Sequence, residues 1–478
     1  MPPPPAAPLA TLAEEHIRAV ATVFDAPEAK SSRAARSYRR LLAHYYNLLI
    51  PADASVLEIG CGDGELLAHL NAREKTGIDI SAVQLERAKA RVPGATFHQH
   101  AAEQLDLPGR TFDYVIVSDT LNYLADVQQA LRRIHAVSTP RTRLLVNFHS
   151  NLWYPMVKLA AWLGLQSRQP QSSWLSRHDV AGLLTLADWS TIKTQSRLLW
   201  PVRTPLLAPL FNRWLAPLLP WACCSVFTIA RPRAVPVETP LSVSVVIPAR
   251  NEAGNIEAAV QRTPAMGTWT ELIFVEGNST DHTWAEIQRV QQAYPDRRIK
   301  VLQQSGRGKG NAVREGFAVA EGDLLMILDA DLTMPPEELP KFYDAVASGH
   351  AEFANGSRLV YPMGRQAMQF LNMIANHCFG HAFSWLLGQH LKDTLCGTKV
   401  LRREHYERIA ANRAYFGDFD PFGDFDLLFG ADKLNLEIVD IPIRYRDRTY
   451  GSTNIHRWRH GLLLVRMVLF AARKLRFV

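Results

Sequence analysis

Two acidic residues, Asp329 and Asp331, offer the clearest chemistry in the chain. They follow the short apolar run from Leu324 to Leu328, which is flanked by polar residues and predicts a buried strand. Alternate residues of an extended chain point the same way, so we expect both carboxylates to face one cation. Mg²⁺ and Mn²⁺ prefer such ligands, usually one or two carboxylates completed by substrate phosphates. The pattern predicts a metal–diphosphate site, although the tripeptide alone occurs more often on solvated loops.

A second candidate site is the glycine-rich turn from Glu58 to Gly64, which lies between a predicted strand and a predicted helix. Glycines let the backbone turn tightly and approach a ligand, and a helix N-terminus favours polar or anionic groups. Glu65 stands where a dinucleotide fingerprint needs its third glycine, which disfavours a dehydrogenase. About twenty residues on, Asp79 ends another short strand, where a carboxylate can accept both ribose hydroxyls of an adenosine.

Composition limits the elements that position these residues. At 478 residues the chain exceeds one ordinary core, and 47% hydrophobic with 21% charged residues indicates folded globular domains. The net charge of +7 indicates an anionic partner, such as a nucleotide, a phospholipid surface or nucleic acid. The five cysteines show neither metal-ligand spacing nor a disulfide framework, which favours a reducing compartment.

No targeting or spanning segment is predicted. Residues 1–34 are expected to form a flexible Pro-rich tail and a leading helix, and they lack the basic and apolar regions of a signal peptide. No window holds about 18 uninterrupted apolar residues, so no spanning helix is expected. We therefore expect a cytoplasmic protein, either free or attached peripherally to the cytoplasmic face of a membrane.

The first half alternates strands with helices, which predicts a parallel, doubly wound sheet. Its glycine loop, its acid and its fourth strand follow one another in such a way that residues 35–232 resemble the class I S-adenosylmethionine-dependent methyltransferases. The resemblance implies a Rossmann-like domain in which the glycines hold the cofactor's amino-acid end and Asp79 its ribose. The implied cofactor-binding residues are Glu58, Gly60, Gly62, Gly64, Asp79 and Asp119.

One departure from that family concerns the adenine. Many relatives carry an Asp where this chain has Ala101, so Ala101, Ala102 or Glu103 must substitute. Methyl transfer needs in-line positioning more than it needs an acid or a base. Three side chains are expected on the active-site rim, with a purely structural role as the alternative: His149, Asp119 and Tyr123.

A Pro-rich linker, residues 233–240, precedes the second half. Residues 241–458 resemble the family 2 glycosyltransferases with a GT-A fold, and in pattern the dolichol- and polyprenyl-phosphate sugar transferases. The matching motifs are Pro248-x-x-Asn251-Glu252, Gly308-Lys309-Gly310-x-Ala312, Asp329-x-Asp331 with Pro335-Pro336-Glu337, Asn355-Gly-Ser-Arg358, Asp393 to Lys399, and Arg448-x-x-Gly451-Ser452.

The resemblance implies roles for these residues. The donor nucleotide-sugar is expected on Pro248, Asn251, Glu252, Glu276, Lys309 and Asp329. Asp329 and Asp331 would hold Mg²⁺ or Mn²⁺ and act in catalysis with Asp393, the candidate general base or acceptor-orienting group. Arg358 and Arg448 are candidates for an anionic acceptor, because Arg binds phosphate bidentately, with a solvated or structural charge as the alternative.

Two features leave roles open. Relatives carry Asp-Asp-x-Ser-x-Asp where this chain has Glu276-Gly-Asn-Ser-Thr-Asp281, so the nucleotide base is not identified. Relatives also place an acid near residues 416–426 that supports the acceptor side. Four residues are candidates for it: Asp418, Asp420, Asp424 and Asp426.

Two apolar segments bear on membranes. Residues 459–478 predict a basic amphipathic helix, which lies either on an anionic membrane surface or on the protein's own core. Residues 198–221, rich in Leu, Trp and Pro, predict an acceptor lid, a domain interface or a surface inserted among lipid headgroups.

The sequence therefore predicts a two-domain α/β protein that is a bifunctional enzyme, a methyltransferase followed by a metal-dependent glycosyltransferase. Its expected partners are S-adenosylmethionine, Mg²⁺ or Mn²⁺, a nucleotide-sugar, a lipid-phosphate acceptor and an anionic membrane surface, with no nucleic acid. One alternative is an active glycosyltransferase with an inert cofactor-binding scaffold. The other is a glycan or natural-product acceptor in place of a lipid.

Overall fold

The computed structural model describes residues 9–26, 33–162, 174–233, 239–361, 370–413, 425–448, 450 and 457–478. The chain divides into two compact units, Met1–Arg233 with Phe477, and Ala234–Arg476 with Val478. Outside the described residues lie the Pro-rich tail 1–8, most of the linker, Gly451 and Ser452, and the candidate acids Asp418, Asp420 and Asp424. The domain boundaries given above stay predictions.

The N-terminal unit is built on one seven-stranded sheet of order β3-β2-β1-β4-β5-β7-β6. Its strands are β1 (Ser55–Ile59), β2 (Glu74–Asp79), β3 (Thr96–Gln99), β4 (Tyr114–Ser118), β5 (Arg143–His149), β6 (Trp189–Arg197) and β7 (Ser225–Pro232). Its helices are α1 (Leu9–Asp25), α2 (Arg33–Leu49), α3 (Glu65–His69), α4 (Ala82–Arg91), α5 (Val127–Ile134), α6 (Tyr154–Trp162) and α7 (Arg177–Leu186). The central strands are apolar and buried, as a parallel sheet covered on both faces requires.

Parallel pairing of β1, β2, β4 and β5 brings their carboxyl ends to one edge of the sheet. The strand order reverses between β1 and β4, which is where open α/β sheets bind ligands. The residues that leave this edge are Gly60 after β1, Asp79 at the end of β2, Asp119 after β4 and His149 at the end of β5.

The C-terminal unit has a second seven-stranded sheet, of order β10-β9-β8-β11-β13-β12-β14, in which β13 runs antiparallel to its neighbours. Its strands are β8 (Val243–Ala249), β9 (Thr270–Glu276), β10 (Arg298–Gln303), β11 (Leu324–Ile327), β12 (Phe353–Ser357), β13 (Lys399–Arg402) and β14 (Ile438–Pro442). Its helices are α8 (Ile256–Arg262), α9 (Thr283–Ala293), α10 (Lys309–Ala318), α11 (Leu339–Ala347), α12 (Phe370–Leu387), α13 (Arg403–Ala411), α14 (Phe425–Lys433) and α15 (Arg457–Leu475).

Register gathers the predicted site residues of this unit at one edge of its sheet. Strands β8, β9, β10 and β11 are parallel, so their carboxyl ends meet there. Asn355 pairs with Lys399, which places the start of β13 and the end of β12 at the same edge. Because β14 runs parallel to β12, the segment that carries Arg448 also leaves the sheet on this side.

Strand β11 is shorter than the sequence pattern suggested. It ends at Ile327, and Asp329 and Asp331 lie beyond it in a turn closed by a 3.1 Å hydrogen bond from the Leu332 N–H to the Asp329 carbonyl. Leu332 has a positive φ of 52°. The prediction that strand alternation aligns the two carboxylates was therefore wrong, because the turn places them.

Within the described residues, no helix is both long enough and apolar enough to cross a membrane. Helix α15 packs against α12, with Leu464, Met467 and Ala471 buried. Arg476, one of the basic residues of the amphipathic helix predicted over residues 459–478, is instead buried and donates from Nε to the Leu386 carbonyl at 3.1 Å. That part of the prediction was wrong, since packing on α12 decides which side of the helix faces solvent.

The close approach of α10 to the sheet can be tested at Gly316. A Cβ at this position would collide with the Val246 side chain on β8. Overpacking of this kind typically costs about 1–3 kcal/mol. We expect Gly316→Ala to lower the unfolding temperature of the C-terminal unit in differential scanning calorimetry.

The matched control is Gly461→Ala on α15, where a Cβ meets no atom within 4 Å. Ala is favoured over Gly in a helix interior by about 1 kcal/mol, so this variant should unfold no earlier than the parent chain. Equal unfolding temperatures for Gly316→Ala and the parent chain would contradict the tight helix–sheet contact.

Candidate active sites

The glycine loop of the N-terminal unit adopts a backbone that favours glycine. Gly60, Gly62 and Gly64 have φ values of 71°, 52° and 72°, in the left-handed region. A Cβ at Gly60 would press on the Thr120 side chain, whereas one at Gly62 would meet no atom within 4 Å. The loop therefore borders open space at Gly62, where a ligand can approach its backbone.

Asp79 is bound to the same loop. One carboxylate oxygen accepts the Gly62 N–H at 2.8 Å, and the other accepts the Ser81 N–H at 2.9 Å. Burial raises the pKa of Asp79, although both N–H groups favour its ionised form. Each oxygen keeps a second lone pair, so the arrangement is compatible with a ribose, and that role stays a prediction.

Other acidic residues lie close to the glycine loop and Asp79, which together we call the cradle. Glu58 is buried and its Oε2 has no hydrogen-bond partner. Burial raises the pKa of Glu58 well above its usual value, Arg39 opposes the shift, and Asp79 and Asp63 increase it. Asp63 forms ion pairs with Arg39 at 2.9 Å and with Arg91 at 2.8 Å. A buried carboxyl oxygen without a partner is the kind of group that a ligand's donor can satisfy.

Of the residues predicted to contact the adenine, Glu103 is engaged by the backbone. Glu103 accepts the backbone N–H groups of Ala125 at 2.8 Å and Asp126 at 3.3 Å through one oxygen, Oε1. Ala101 and Ala102 offer only backbone groups. Of the three predicted substitutes, Glu103 already holds the chain after β4, which favours backbone recognition of an adenine.

Helix α1 contacts the segments that follow β2 and β4 at the carboxyl edge of the sheet. The Phe24 and Tyr123 rings meet edge to face with centroids 5.7 Å apart, and His16 Nε2 lies 3.0 Å from the Tyr123 carbonyl oxygen. Asp25 accepts the Ser81 hydroxyl at the start of α4. The helix thus reaches from the end of β2 to the end of β4, a placement that its sequence periodicity did not indicate.

The predicted rim residues come together at the ends of β4 and β5. His149 Nε2 lies 3.9 Å from Asp119 Oδ1, which accepts the Asn147 amide at 2.8 Å. His149 Nδ1 is buried without a hydrogen-bond partner. Tyr38 packs its ring 5.6 Å from the His149 ring and shares a 2.7 Å hydrogen bond with Ser225. Tyr38 lies on α2, and the sequence analysis assigned it no role.

The pKa directions separate donors from acceptors at this rim. Burial, with Asp119 nearby, raises the pKa of Tyr38 and of Tyr123 above their usual values. Both hydroxyls therefore stay protonated at neutral pH and cannot serve as bases. The other two predicted rim side chains are Asp119 and His149, whose ring stacks 6.2 Å from the Trp174 ring.

In the C-terminal unit, Asp329 is paired with a lysine. Its Oδ1 lies 2.6 Å from Lys309 Nζ at the start of α10. Burial opposes ionisation, but Lys309, assisted by Lys399 and Arg358, lowers the pKa of Asp329 below its usual value. Gly397 borders this ion pair so closely that a Cβ would collide with both side chains.

Arg448 joins two carboxylates. Its Nη1 lies 2.8 Å from Glu252 Oε1, and its Nη2 lies 2.6 Å from Asp331 Oδ2. Asp331 Oδ1 also accepts the Thr333 N–H at 3.1 Å and hydroxyl at 2.8 Å. Burial raises the pKa of Glu252, Arg448 opposes the shift, and Asp331 increases it. Arg448, predicted for the acceptor, thus lies between a predicted donor residue, Glu252, and a predicted metal ligand, Asp331.

Asp393 is fully buried beneath Arg358. Its carboxylate accepts Nε of Arg358 at 2.7 Å, Nη2 at 2.9 Å, the Arg358 backbone N–H and the Leu395 N–H. Burial opposes ionisation, but Arg358 holds the pKa of Asp393 below its usual value. A buried carboxylate with both oxygens engaged is a weak base, so the geometry favours the orienting role over the general base.

The predicted donor loops brace each other at the ends of β8 and β9. Asn251, with φ of 58°, accepts the Thr280 N–H at 2.8 Å, and the Glu252 N–H donates to Thr283 at 2.9 Å. Glu276 is buried and accepts the Ser279 N–H. Pro248 pairs with Val275 in the register of these strands. The predicted donor residue Glu276 is thus partly engaged by its own loop.

Two further residues complete the site. Lys399, which the sequence matched without a role, is buried, donates to the Cys396 carbonyl and lowers the pKa values of Asp329 and Asp393. Asp426 is the described member of the four candidate acids, and Arg413 Nε lies 3.3 Å from it.

Two family models match the chain, a methyltransferase domain over residues 31–194 and glycosyl transferase family 2 over residues 244–410. The chain joins a methyltransferase domain to a family 2 glycosyltransferase domain. This confirms the resemblances, the two-domain α/β fold class and the two kinds of enzyme domain predicted from the sequence.

Curated relatives match the glycosyltransferase domain. A dolichol-phosphate mannosyltransferase of Pyrococcus furiosus is 37% identical over 225 residues, 45% of this chain and 59% of the relative. A polyprenol monophosphomannose synthase of Mycolicibacterium smegmatis is 29% identical over 217 residues, 44% of this chain and 80% of the relative. The chain therefore spans little more than half of the Pyrococcus protein.

Solved structures resemble each domain separately. A Thermotoga maritima S-adenosylmethionine-dependent methyltransferase is 19% identical with a TM-score of 0.34, over 42% of this chain and 90% of that one. A Mycobacterium tuberculosis glucosyl-3-phosphoglycerate synthase with Mn²⁺ and uridine diphosphate is 20% identical with a TM-score of 0.37, over 49% and 80%. Likenesses at this level say nothing about the ligands of this chain.

The cofactor cradle can be tested at Asp79. Hydrogen bonds to charged groups contribute about 1.5–3 kcal/mol each, and about 1.4 kcal/mol is tenfold in affinity. We expect Asp79→Ala to weaken S-adenosylmethionine binding, measured by calorimetry, by roughly one to three orders of magnitude. Asp106→Ala, at an exposed acid of the same domain, is the control and should bind as the parent chain does. Parent-like affinity in a folded Asp79→Ala would refute the ribose assignment.

Proposed function

We propose that the chain is a bifunctional transferase. Its glycosyltransferase domain moves a sugar from a nucleotide-sugar to a polyprenyl phosphate or another lipid acceptor, and its methyltransferase domain methylates that sugar or acceptor. The observation that carries the first activity is the pairing of both predicted metal ligands with cations, Asp329 with Lys309 and Asp331 with Arg448.

The donor set fits Mg²⁺ or Mn²⁺ bound together with a diphosphate. Among the described residues, no group of three or more His, Cys, Asp or Glu side chains is placed to hold a metal ion. Two carboxylates, Asp329 and Asp331, suit a hard cation that takes its other ligands from water and phosphates. Such an ion would neutralise the charge that develops on the departing diphosphate.

Lys309 and Arg448 then have a second use. Each now neutralises one aspartate, which spares the site two adjacent unpaired negative charges. With a divalent cation held by the two aspartates, Lys309, as a point charge, and Arg448, as a planar fork, would exchange these aspartates for phosphate oxygens. This exchange predicts that metal and nucleotide bind cooperatively.

The acceptor side is assigned to Arg358. Asp393 fixes its Nε and Nη2 from beneath, which orients the guanidinium without consuming Nη1. An oriented guanidinium suits a phosphate group. The names of two relatives, a dolichol-phosphate mannosyltransferase and a polyprenol monophosphomannose synthase, support a lipid phosphate as the acceptor.

The cradle of the methyltransferase domain fits S-adenosylmethionine. Open space at Gly62, the Asp79 carboxylate and the unpartnered Glu58 oxygen line the edge where the family holds its cofactor. The cofactor supplies an electrophilic methyl group. His149 is the residue that we assign to accept a proton from an acceptor hydroxyl, and Asp119, 3.9 Å away, would stabilise the resulting imidazolium.

An inert scaffold is less well supported. His149 Nδ1 and Glu58 Oε2 are buried without partners, and such groups cost stability unless something satisfies them. A domain kept only for its surface gains nothing from these unsatisfied atoms at its ligand edge.

A membrane surface is supported by the outward face of α15. Leu462, Val465 and Leu469 are exposed on it, with Arg466, Arg473 and Lys474 interspersed. Basic residues near an anionic surface contribute about 1 kcal/mol each. The same helix therefore docks on α12 by one face and offers an apolar, basic face to a bilayer.

The metal proposal is tested by Asp331→Asn. Removing one electrostatic group from a transition-state site typically costs about 10²–10³-fold in rate. We expect a loss of that size in sugar transfer to polyprenyl phosphate, measured with Mn²⁺ and a panel of uridine and guanosine diphosphate sugars. S-adenosylmethionine affinity should stay within error of the parent chain.

Asp296→Asn, at an exposed residue of the same domain, serves as the matched control and should retain full transfer. If Asp331→Asn transfers sugar at the parent rate, the pair does not hold the metal. Loss of both activities would instead indicate a misfolded protein.

A further inference from the structure

The methyltransferase domain exposes an apolar surface for which neither activity has a use. It is formed by residues 151–162, which follow β5, and residues 198–224, which join β6 to β7; we call it the apolar edge. In the register of the sheet, His149 and Arg197 both pair with Ser225. Both segments therefore leave the sheet at the edge that carries His149.

The two segments touch each other. The Ser150 N–H donates to the Cys224 carbonyl at 2.8 Å, and the Trp153 indole donates to the Ala222 carbonyl at 2.8 Å. Two segments that are separate in sequence are thus held side by side next to the proposed methyl-transfer site.

Large apolar side chains project from this surface into solvent. In the first segment Leu152, Met156 and Trp162 are 58%, 55% and 81% exposed. In the second, Leu206 and Trp221 are 85% and 67% exposed. The other exposed members are Tyr154, Leu159, Val202, Leu207, Leu210, Trp214 and Leu218. Contiguous exposure of this kind marks an interaction site rather than ordinary surface.

In the second segment, the pattern of buried and exposed residues is the reverse of the one expected for a segment in contact with water. Its inward positions, four residues apart, are the small or polar Ala208, Asn212 and Ala216, all buried. Asn212 anchors the segment through hydrogen bonds of 2.7 and 2.8 Å to the Trp200 backbone. A loop folded for water would bury its Leu and Trp residues and expose the Asn. This one fixes them facing outward.

The charged residues of the two segments indicate which kind of partner the apolar edge binds. The sequence contains no Asp or Glu from Val127 to His178 or from Trp189 to Val237. Cations lie among the apolar side chains instead, namely Lys158, Arg203 and Arg213. Trp and Leu inserted at the headgroup layer, with Lys and Arg between them and no acids, suit an anionic bilayer.

We propose that the apolar edge docks the methyltransferase domain on an anionic phospholipid bilayer, and that the methyl acceptor reaches His149 as a lipid-borne hydroxyl. The hydroxyl proton passes to His149, the oxygen bonds to the methyl carbon, and the carbon–sulfur bond breaks with its electron pair retained by sulfur. Docking itself does not depend on the proposed function, whereas the class of acceptor rests on it.

The test is binding of the full chain to vesicles of phosphatidylglycerol mixed with phosphatidylcholine. We expect the double variant Leu206→Glu/Trp221→Glu to bind at least about tenfold more weakly, since two apolar anchors are lost and two anionic charges gained. The matched control, Leu186→Glu, alters a residue of the same domain that is 60% exposed outside the apolar edge. It should bind as the parent chain does.

Parent-like vesicle binding by the double variant would overturn the docking proposal. The proposal would also be overturned if the double variant kept its vesicle binding but changed its oligomeric state, because the apolar edge would then be a contact between copies of the chain. A second experiment tests the acceptor class separately from docking. The chain is incubated with radiolabelled S-adenosylmethionine and vesicles that carry a polyprenyl-phosphate sugar, and the label that enters the organic phase is measured. Label in the organic phase supports the lipid-borne acceptor. Normal vesicle binding and S-adenosylmethionine binding without such label overturn the acceptor class alone.

Discussion

Carboxylates at the ends of buried strands must be neutralised or hydrogen-bonded, and this constraint shapes both halves of the molecule. In the glycosyltransferase domain, Lys309 and Arg448 each take one oxygen of the Asp329 and Asp331 turn. Arg358 binds both oxygens of the fully buried Asp393. Because each of these three aspartates is paired with a cation, and Arg448 also pairs with Glu252, the site keeps a high charge density without strong repulsion. Under the proposed function, Lys309 and Arg448 would exchange their aspartates for phosphate oxygens when the site holds a metal and a diphosphate.

The methyltransferase domain meets the constraint differently. Asp79 is held by the backbone N–H groups of Gly62, in the glycine loop, and of Ser81, and Asp63 is held by two arginines. Glu58 and His149 are left with unsatisfied buried atoms. In the glycosyltransferase domain, the proposed diphosphate carries negative charge, which Lys309 and Arg448 would bind after releasing their aspartates. In the methyltransferase domain, the proposed cofactor carries hydrogen-bond donors, which would meet acceptors that are already in place.

The sequence predicted the features that depend on short segments, but it did not predict which residues distant in the chain would pair. Glycine spacing and apolar strands indicated the two sheets and the edge residues, because turn geometry and strand burial are properties of short segments. The pairing of Arg448 with Asp331, 117 positions apart, could not be read from either motif. The turn after β11 was also missed, since nothing in Asp329-x-Asp331 distinguishes strand from turn. Helix α1 was visible as a helix, but its contacts with Tyr123 and Ser81 depend on the folded edge.

The central claim is that one chain contains two working transferase sites rather than one site and a scaffold. Calorimetric titration of the full-length chain with S-adenosylmethionine tests it most directly. The account predicts binding of one equivalent, with an affinity unchanged by saturating Mn²⁺ and uridine or guanosine diphosphate. An absence of binding by a folded chain that still transfers sugar would contradict it and leave the N-terminal domain as a scaffold.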